Sequence, residues 1–269
     1  MRAAAVLGLA GLLFANEAMA ADYLRGAAYE GPTESYNWAG VYVGGQVGYT
    51  GADFDFGDSA KSQIANMVRS TTIESEAKIS DLLKLPVKSS NGTSYGGFIG
   101  YNAQWGDAVV GIEGNYNHMD IKASSLDAIG RSFTTSDGYF NDVLQGASAT
   151  ARVTDYGTLR FRAGYAAGYF MPYMMAGLAV GSIDYTRYAS INIQSTDPNG
   201  VMPPLALVQS TSESKNGAIA FGYMLGAGID VGLLPNLFLR GEYEWTQFAP
   251  VGGITIQMNT FRTALALKF

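Results

Sequence analysis

Eight charged side chains of this sequence fall on one side of extended chain: Glu113, Arg160, Arg162, Asp230, Arg240, Glu242, Glu244 and Arg262. Arg160 and Arg162 stand two residues apart, and so do Arg240, Glu242 and Glu244 in turn. Two-residue spacing places side chains on the same face of a strand. The residues between and beside them (Leu159, Phe161, Leu239, Tyr243, Trp245) are apolar. Both signs are represented evenly, and the chemistry such a set supports is bidentate hydrogen bonding between guanidinium and carboxylate. Charges of one sign would be very costly to bury, whereas a mixed set neutralises itself. The expectation is a network of interdigitated pairs that plugs an interior and locks strand register. A narrow ion pathway, opened when the pairs rearrange, is the competing use of the same residues.

A face of this kind needs strands, and the sequence supplies eight alternating stretches: 38–49, 95–105, 108–118, 155–166, 172–186, 218–231, 237–247 and a last one from about 254. Strict alternation of apolar and polar residues is a strand signal. Their lengths cover the roughly 9–11 residues that a tilted strand needs to cross a bilayer. The connections alternate as well. They are tight at Gly106-Asp107, 167–171 and 232–236, long at 50–94, 119–154 and 187–217, and modest at 248–253. Short turns at one end and long loops at the other mark an outer-membrane barrel. An open sheet in lipid would leave its edge amides unpaired, so the sheet must close. The expected fold is all-β: an eight-stranded antiparallel up-and-down transmembrane barrel with short periplasmic turns and long extracellular loops. Trp38, Tyr49, Tyr95, Trp105, Tyr165, Tyr243 and Trp245 are expected to form aromatic girdles. A soluble barrel or sandwich would turn the apolar face inward instead.

Composition agrees. The chain has 34 Gly, 17 Tyr and only 15% charged residues, below the quarter or so of a soluble domain. The net charge of −6 argues against nucleic acid as a partner. Without Cys there are no disulfides and no thiolate metal sites. No metal, cofactor or catalytic site is expected. Past the first segment, no apolar run is long enough for a transmembrane helix.

The N-terminus reads as an address. Arg2 precedes an apolar run to Phe14, and Ala18-Met19-Ala20 has the form of a signal-peptide cleavage site. Residues 1–20 are expected to be removed, 21–37 to form a flexible leader, and 38–269 to form the barrel. At the other end, "TFRTALALKF" sets Phe261, Leu265, Leu267 and Phe269 on a lipid-facing side against Arg262 and Lys268. A terminal Phe after alternating apolar residues resembles the signal that the barrel-assembly machinery of bacterial outer membranes reads.

The blocks "NWAGVYVGGQVGY", "GGFIGYNAQWGDAVVGIEGNY", "DYGTLRFRAGYA", "MAGLAVG", "GYMLGAGIDVGL", "LFLRGEYEW" and "LALKF" together resemble the porin-like surface-antigen barrels of alphaproteobacteria, with OmpA and OmpX as more distant relatives. The resemblance implies an eight-stranded barrel that is a surface antigen tied to envelope integrity, surrounded by outer-membrane lipid and lipopolysaccharide. It also implies haemin binding in some members. A small porin-like channel and a haemin or host-ligand binder acting through the loops are the alternative functions.

Other motifs carry less. His118 is the single histidine; a haem ligand or catalytic base is weaker than a surface residue at a strand end. Gly226-Ala227-Gly228 with Gly232 lacks the spacing of a dinucleotide loop. In the first long loop, Ile64, Met67 and Val68 share helical spacing, as do Ile79, Leu82 and Leu83. One or two short amphipathic helices are expected there, self-packed as a cap over the barrel mouth or used for contact with a partner. The Pro-rich "TDPNGVMPPLAL" is expected to be irregular.

Overall fold

The computed structural model describes residues 36–269. The expected signal peptide, with Ala18 and Ala20, and nearly all of the expected leader lie outside them. The strands are β1 (Gly40–Asp55), β2 (Lys88–Trp105), β3 (Ala108–Thr134), β4 (Phe140–Tyr165), β5 (Phe170–Thr196), β6 (Leu205–Leu234), β7 (Leu237–Val251) and β8 (Ile254–Lys268). Each pairs antiparallel with its sequence neighbours, and β1 pairs with β8 to close the ring. Closure removes every edge inside the apolar zone, the condition that lipid imposes.

Alternation decides which way each residue points. Val41, Val43 and Val47 on β1, Ile99 and Tyr101 on β2, Leu159 and Phe161 on β4, and Leu265 and Leu267 on β8 are all exposed on the outside. Tyr42, Phe98, Arg160 and Ala266, one residue away, are buried inside. The outward apolar band stops at one level around the ring, where Asp53, Thr93, His118, Asp155 and Asp184 take over. Register shifts fall at this level too, at His118/Ile121, Val153/Asp155 and Ile183/Tyr185. Bulges of this type bend and re-aim strands.

Above the band the structure departs from the expected loops. Residues 119–154 and 187–217 are chiefly strand, because β3–β4 and β5–β6 continue upward as long hairpins. On β3, β4 and β5 most inward positions stay apolar, with Ile121, Val143, Ala147, Ala149, Ala151, Val153, Ile183, Ala189, Ile191 and Ile193 buried, whereas upper β6 turns Gln209, Thr211 and Glu213 inward. Their outward positions change to Ser, Thr, Asn and Gln, as in Ser124, Thr150, Thr186, Ser190, Asn192 and Gln194. Water rather than lipid is the outer solvent there. The alternation persists, but in small apolar and polar residues that read as loop. Of the Pro-rich segment only 197–204 is irregular.

The space between these hairpins is filled by the first long connection. It forms α1 (Lys61–Val68), α2 (Thr72–Ala77) and a 3₁₀ turn at Ile79–Asp81. Thr71 caps α2 by accepting from the Glu74 amide at 3.2 Å, and Lys78 ends it in the left-handed region at φ 46°. Ile64, Val68, Ile79 and Leu83 are buried against Phe54, Phe56, Val153, Ile183, Ile256 and Met258. Met67 and Leu82 pack at the margin of this core. The helices are a self-packed cap, and their hydrophobic faces point into the barrel mouth.

Arg187 on β5 latches the cap. Its guanidinium donates to the Ser59 carbonyl at 3.0 Å and the Gly252 carbonyl at 2.8 Å, and it pairs with Glu213. One side chain thus ties the first connection, the β7–β8 turn and β6 together. Hydrogen bonds from the Tyr185 hydroxyl and then from Arg187 hold the Glu213 carboxyl below its ordinary value. Replacing Arg187 by Met should expose Lys61, Arg69 and Lys78 to trypsin several-fold faster while the folded barrel resists detergent unfolding; unchanged cleavage would show that the latch does not hold the cap. A lowered folded pKa means that the Glu213 contribution is intact above the ordinary carboxyl value of 4.5 and lost as the pH falls through the lowered one. Pepsin cleavage of the cap should therefore accelerate only below that pH.

Candidate functional site

The expected lumen charges converge. Strand register sets three oppositely charged pairs directly across from each other: Glu113 and Arg160 on β3 and β4, Asp230 and Arg240 on β6 and β7, and Glu242 and Arg262 on β7 and β8. Cross-strand neighbours stand about 4.5–5.5 Å apart at Cβ, so each pair meets without distortion. The long side chains then reach across the barrel. Glu113 accepts from Arg160 Nε at 2.8 Å, from Arg240 Nη1 at 2.7 Å and from Arg162 Nη1 at 3.2 Å. Asp230 receives a two-point contact from Arg240, Nε to Oδ1 at 2.8 Å and Nη2 to Oδ2 at 3.0 Å, and a further bond from Arg162 at 2.6 Å. Glu242 lies 3.1 Å from Arg160, and Glu244 lies 3.2 Å from Arg160 and 2.9 Å from Arg262. All eight residues expected from the sequence are in one connected cluster, with side chains almost wholly removed from solvent.

Tyrosines complete it, and these the sequence did not single out. Tyr42 donates to Glu113 at 2.8 Å and accepts from Arg162 at 2.8 Å. Tyr173 donates to Glu242, and Tyr156 joins Glu244 to Arg262. The Arg162 guanidinium lies 3.9 Å from the Tyr173 ring centroid, and Arg240 lies 4.5 Å from that of Phe98. Such stacking favours a desolvated cation. The same inward parity marks these aromatics, but a strand-end Tyr also reads as a girdle residue. Glycines make room for the cluster. A Cβ on Gly100 would come within 2.4 Å of the Tyr42 ring, and one on Gly228 within 2.5 Å of the Tyr173 hydroxyl.

Apolar plugs close the bore at both ends, the upper one beyond a buried layer of Gln46, Asn115, Asn117, Thr50 and Thr260. Toward the short turns, Tyr36, Trp38, Phe238, Ala166 and Met171 fill the bore. Trp38 is therefore not a girdle residue: its position is inward, and its ring packs on Tyr36 at 4.4 Å and Phe238 at 5.8 Å between centroids. Tyr36 is buried with it, so the end of the expected leader lies in the barrel mouth. Tyr49, Tyr95, Trp105, Tyr165 and Tyr243 do stand on the outside. Toward the long hairpins the bore is filled by Phe248, Met258 and the core under the cap.

The remaining candidates lie elsewhere. Phe261, Leu265, Leu267 and Phe269 form an outward stripe on β8, and the Phe269 amide donates to the Val41 carbonyl at 2.9 Å. His118 is on the outer wall at the top of the apolar band, with Nδ1 2.8 Å from Asp155 and its ring 5.2 Å from that of Tyr95. Asp155 also accepts from Tyr116 at 2.6 Å. Gly226 and Gly228 lie within β6, not at a helix N-terminus.

A family model for the outer membrane protein beta-barrel domain matches residues 6–269. The chain belongs to that family. It is similar to the 31 kDa outer-membrane immunogenic protein of Brucella melitensis, at 27% identity over 98% of this chain and 98% of that one. It is similar also to the 25 kDa outer-membrane immunogenic protein of Brucella ovis, at 26% identity over 100% of this chain and 98% of the relative. Among solved structures, Neisserial surface protein A (NspA) aligns with 86% of this chain and 98% of its own, at 12% identity and a TM-score of 0.36. The chain is thus an outer-membrane β-barrel. The short turns face the periplasm, and the cap and long hairpins form an extracellular head.

Removing one partner of a buried ion pair leaves a charge uncompensated, at a cost of roughly 3–5 kcal/mol. Arg160→Met, which strips a guanidinium from Glu113, Glu242 and Glu244 together, should lower the unfolding free energy of the refolded barrel by that order and shift its urea midpoint down accordingly. Lys122→Met, on the exposed outer wall, should leave the midpoint where it is. Equal effects, or none, would mean that the cluster is not what stabilises the barrel.

Proposed function

We propose that this chain is a structural barrel of the outer membrane, a sealed cylinder that contributes to envelope integrity and presents a folded head to the outside. The observation that carries this is the order of layers in the bore: an aromatic plug, a neutralised ionic cluster, and an apolar core beneath a latched cap. A conducting path must hydrate ions along its length. Here the charges are paired with one another, a hydrogen-bonded layer of Gln46, Asn115, Asn117, Thr50 and Thr260 adjoins them, and apolar residues close the bore at both ends. The role is structural rather than catalytic, and the antigenic surface is the head.

The proposed partners follow the same geometry. Lipid meets the apolar band. Lys122 projects outward just above it and suits a phosphate of lipopolysaccharide, while its neighbour Arg152 is held by Asp120 at 2.6 and 2.8 Å. The outward stripe that ends in Phe269 suits recognition by the barrel-assembly machinery. Haemin or a host surface molecule would meet the head, since the bore is filled. Planar-bilayer recording on refolded residues 21–269, after a gel has shown the folded-versus-boiled mobility shift, tests the sealed reading directly. Electrical silence is expected. Discrete conductance steps that change with Glu242→Gln would overturn it and make the chain a small porin-like channel.

A further inference from the structure

Above the apolar band the ring opens. β6 pairs with β7 only up to Gly222 opposite Phe248, while it pairs with β5 as far as Leu205, and β3 likewise outruns β2 beyond Ser94 opposite Met119. β7 ends in a turn that folds inward: the Gly252 carbonyl accepts from Arg187, and Gly253 lies against the Asp58 backbone. The inner face of upper β6 is left opposite α1, and a cleft of about 600 Å³ runs between them. That size falls within the roughly 300–1,000 Å³ of small-molecule sites.

Two stripes of side chains line it. From α1 come Ser62 with Asn66 and Gln63 with Met67, each pair four residues apart and so on one side of the helix. Ile64 and Val68 belong to the core behind them. From β6 come Gln209, Thr211 and Glu213 at the two-residue spacing of one strand face. Arg187 of β5 lines the cleft as well. Two of these side chains are buried with an atom to spare. Gln63 is 7% exposed and Arg187 8%, and among the described residues neither Gln63 Oε1 nor Arg187 Nε has a hydrogen-bond partner. Orphaned buried polar atoms are rare, and each calls for an explanation. Their place in the wall of a cleft supplies one, since a ligand there would complete both.

The lining selects the ligand. Its two ionic side chains, Arg187 and Glu213, pair with each other. Arg187 Nη1 also donates to the Ser59 and Gly252 carbonyls, and Tyr185 donates to Glu213 at 2.7 Å. The cleft therefore offers no unpaired charge to an ionic ligand. What it offers is the hydroxyls of Ser62 and Thr211, the amides of Asn66 and Gln209, an acceptor on Gln63 and a donor on Arg187. A hydroxyl both donates and accepts, so a neutral molecule dense in hydroxyls matches this mixture. A flat apolar ligand would find only Met67. We infer that the cleft binds a neutral oligosaccharide outside the cell. Gln63 Oε1 accepts from one sugar hydroxyl, and Arg187 Nε donates to another. The inference rests on the reading of the head as the extracellular end. Chains of neighbouring lipopolysaccharide and glycans of a foreign surface both carry this chemistry.

The test applies the refolded, labelled chain in detergent micelles to an array of neutral and acidic glycans that includes polysaccharide released from lipopolysaccharide. Saturable retention by neutral glycans is expected. Adding the best of them should slow amide exchange across 61–68 and 209–213 at least about tenfold. Gln63→Met and Thr211→Val, which remove a hydrogen-bonding group at nearly constant volume, should each weaken binding about tenfold. Gln63→Met should do so without loss of stability, because the acceptor it removes has no partner in the free protein. Gln194→Met, on the outer face of β5, should leave binding intact. Retention by released lipopolysaccharide chains alone assigns the ligand to the cell's own envelope, and retention by other neutral glycans assigns it to a foreign surface. Exchange mapping of the wild type keeps the test independent of how the variants fold. No retention by any neutral glycan, preference for acidic ones, protection elsewhere, or equal loss with Gln194→Met would overturn the inference. None of these outcomes depends on whether the lumen conducts.

Discussion

Four guanidiniums and four carboxylates are held out of water at the centre of this barrel, and they are tolerated there only because each meets opposite charge. Taking an ion into a medium of low dielectric costs several kcal/mol even after relaxation. Partners must therefore arrive at hydrogen-bonding distance from fixed backbone positions. Register does this. A slip of one residue would turn Arg160, Arg240 and Glu242 into the lipid and bring Leu159, Leu239 and Tyr243 inside. The cluster and the apolar outer band thus select the same alignment, one from within and one from without. The lumen glycines follow from this arrangement, since the Tyr42 and Tyr173 rings occupy the space that a Cβ would need.

The head continues the barrel in a different solvent. Above the band the outer face changes from aliphatic to hydroxyl and amide, while the inner face of β3 to β5 stays chiefly apolar and receives α1 and the 3₁₀ turn. The cap closes the mouth by hydrophobic packing, and Arg187 fixes its position. The ring then has two kinds of boundary: lipid, where no edge is tolerated, and water, where β3 and β6 keep theirs.

Much of this was legible in the residues. Strand number, order, inward parity and membership of the ionic cluster follow from two-residue spacing, which reports side-chain direction whatever the contacts. The lipid-facing halves of all eight strands were read this way. Other features required contacts between distant segments. Trp38 looked like a girdle residue, because an aromatic near a strand end gives the same signal whether it faces in or out. The upper halves of β3 to β6 looked like loops, because alternation of Ala with Ser or Thr has little amplitude. The helical spacing of Ile64 and Val68 was visible, and so was the prospect of a cap. Its attachment through Arg187 was not, because that bond joins residues more than a hundred positions apart.

The central claim is that cross-strand ion pairing in the bore holds the barrel in register, and a double-substitution cycle on Arg240 and Asp230 tests it most directly. Unfolding free energies of the refolded wild type, Arg240→Gln, Asp230→Asn and the double variant would be measured by urea in the same micelles. Residues in one network couple by about 0.5–3 kcal/mol, and this two-point pair belongs at the upper end of that range. A double variant much less damaged than the sum of the single ones is the expected result. Single effects that add to within roughly 0.5 kcal/mol would show that the two charges act independently, and would contradict the claim.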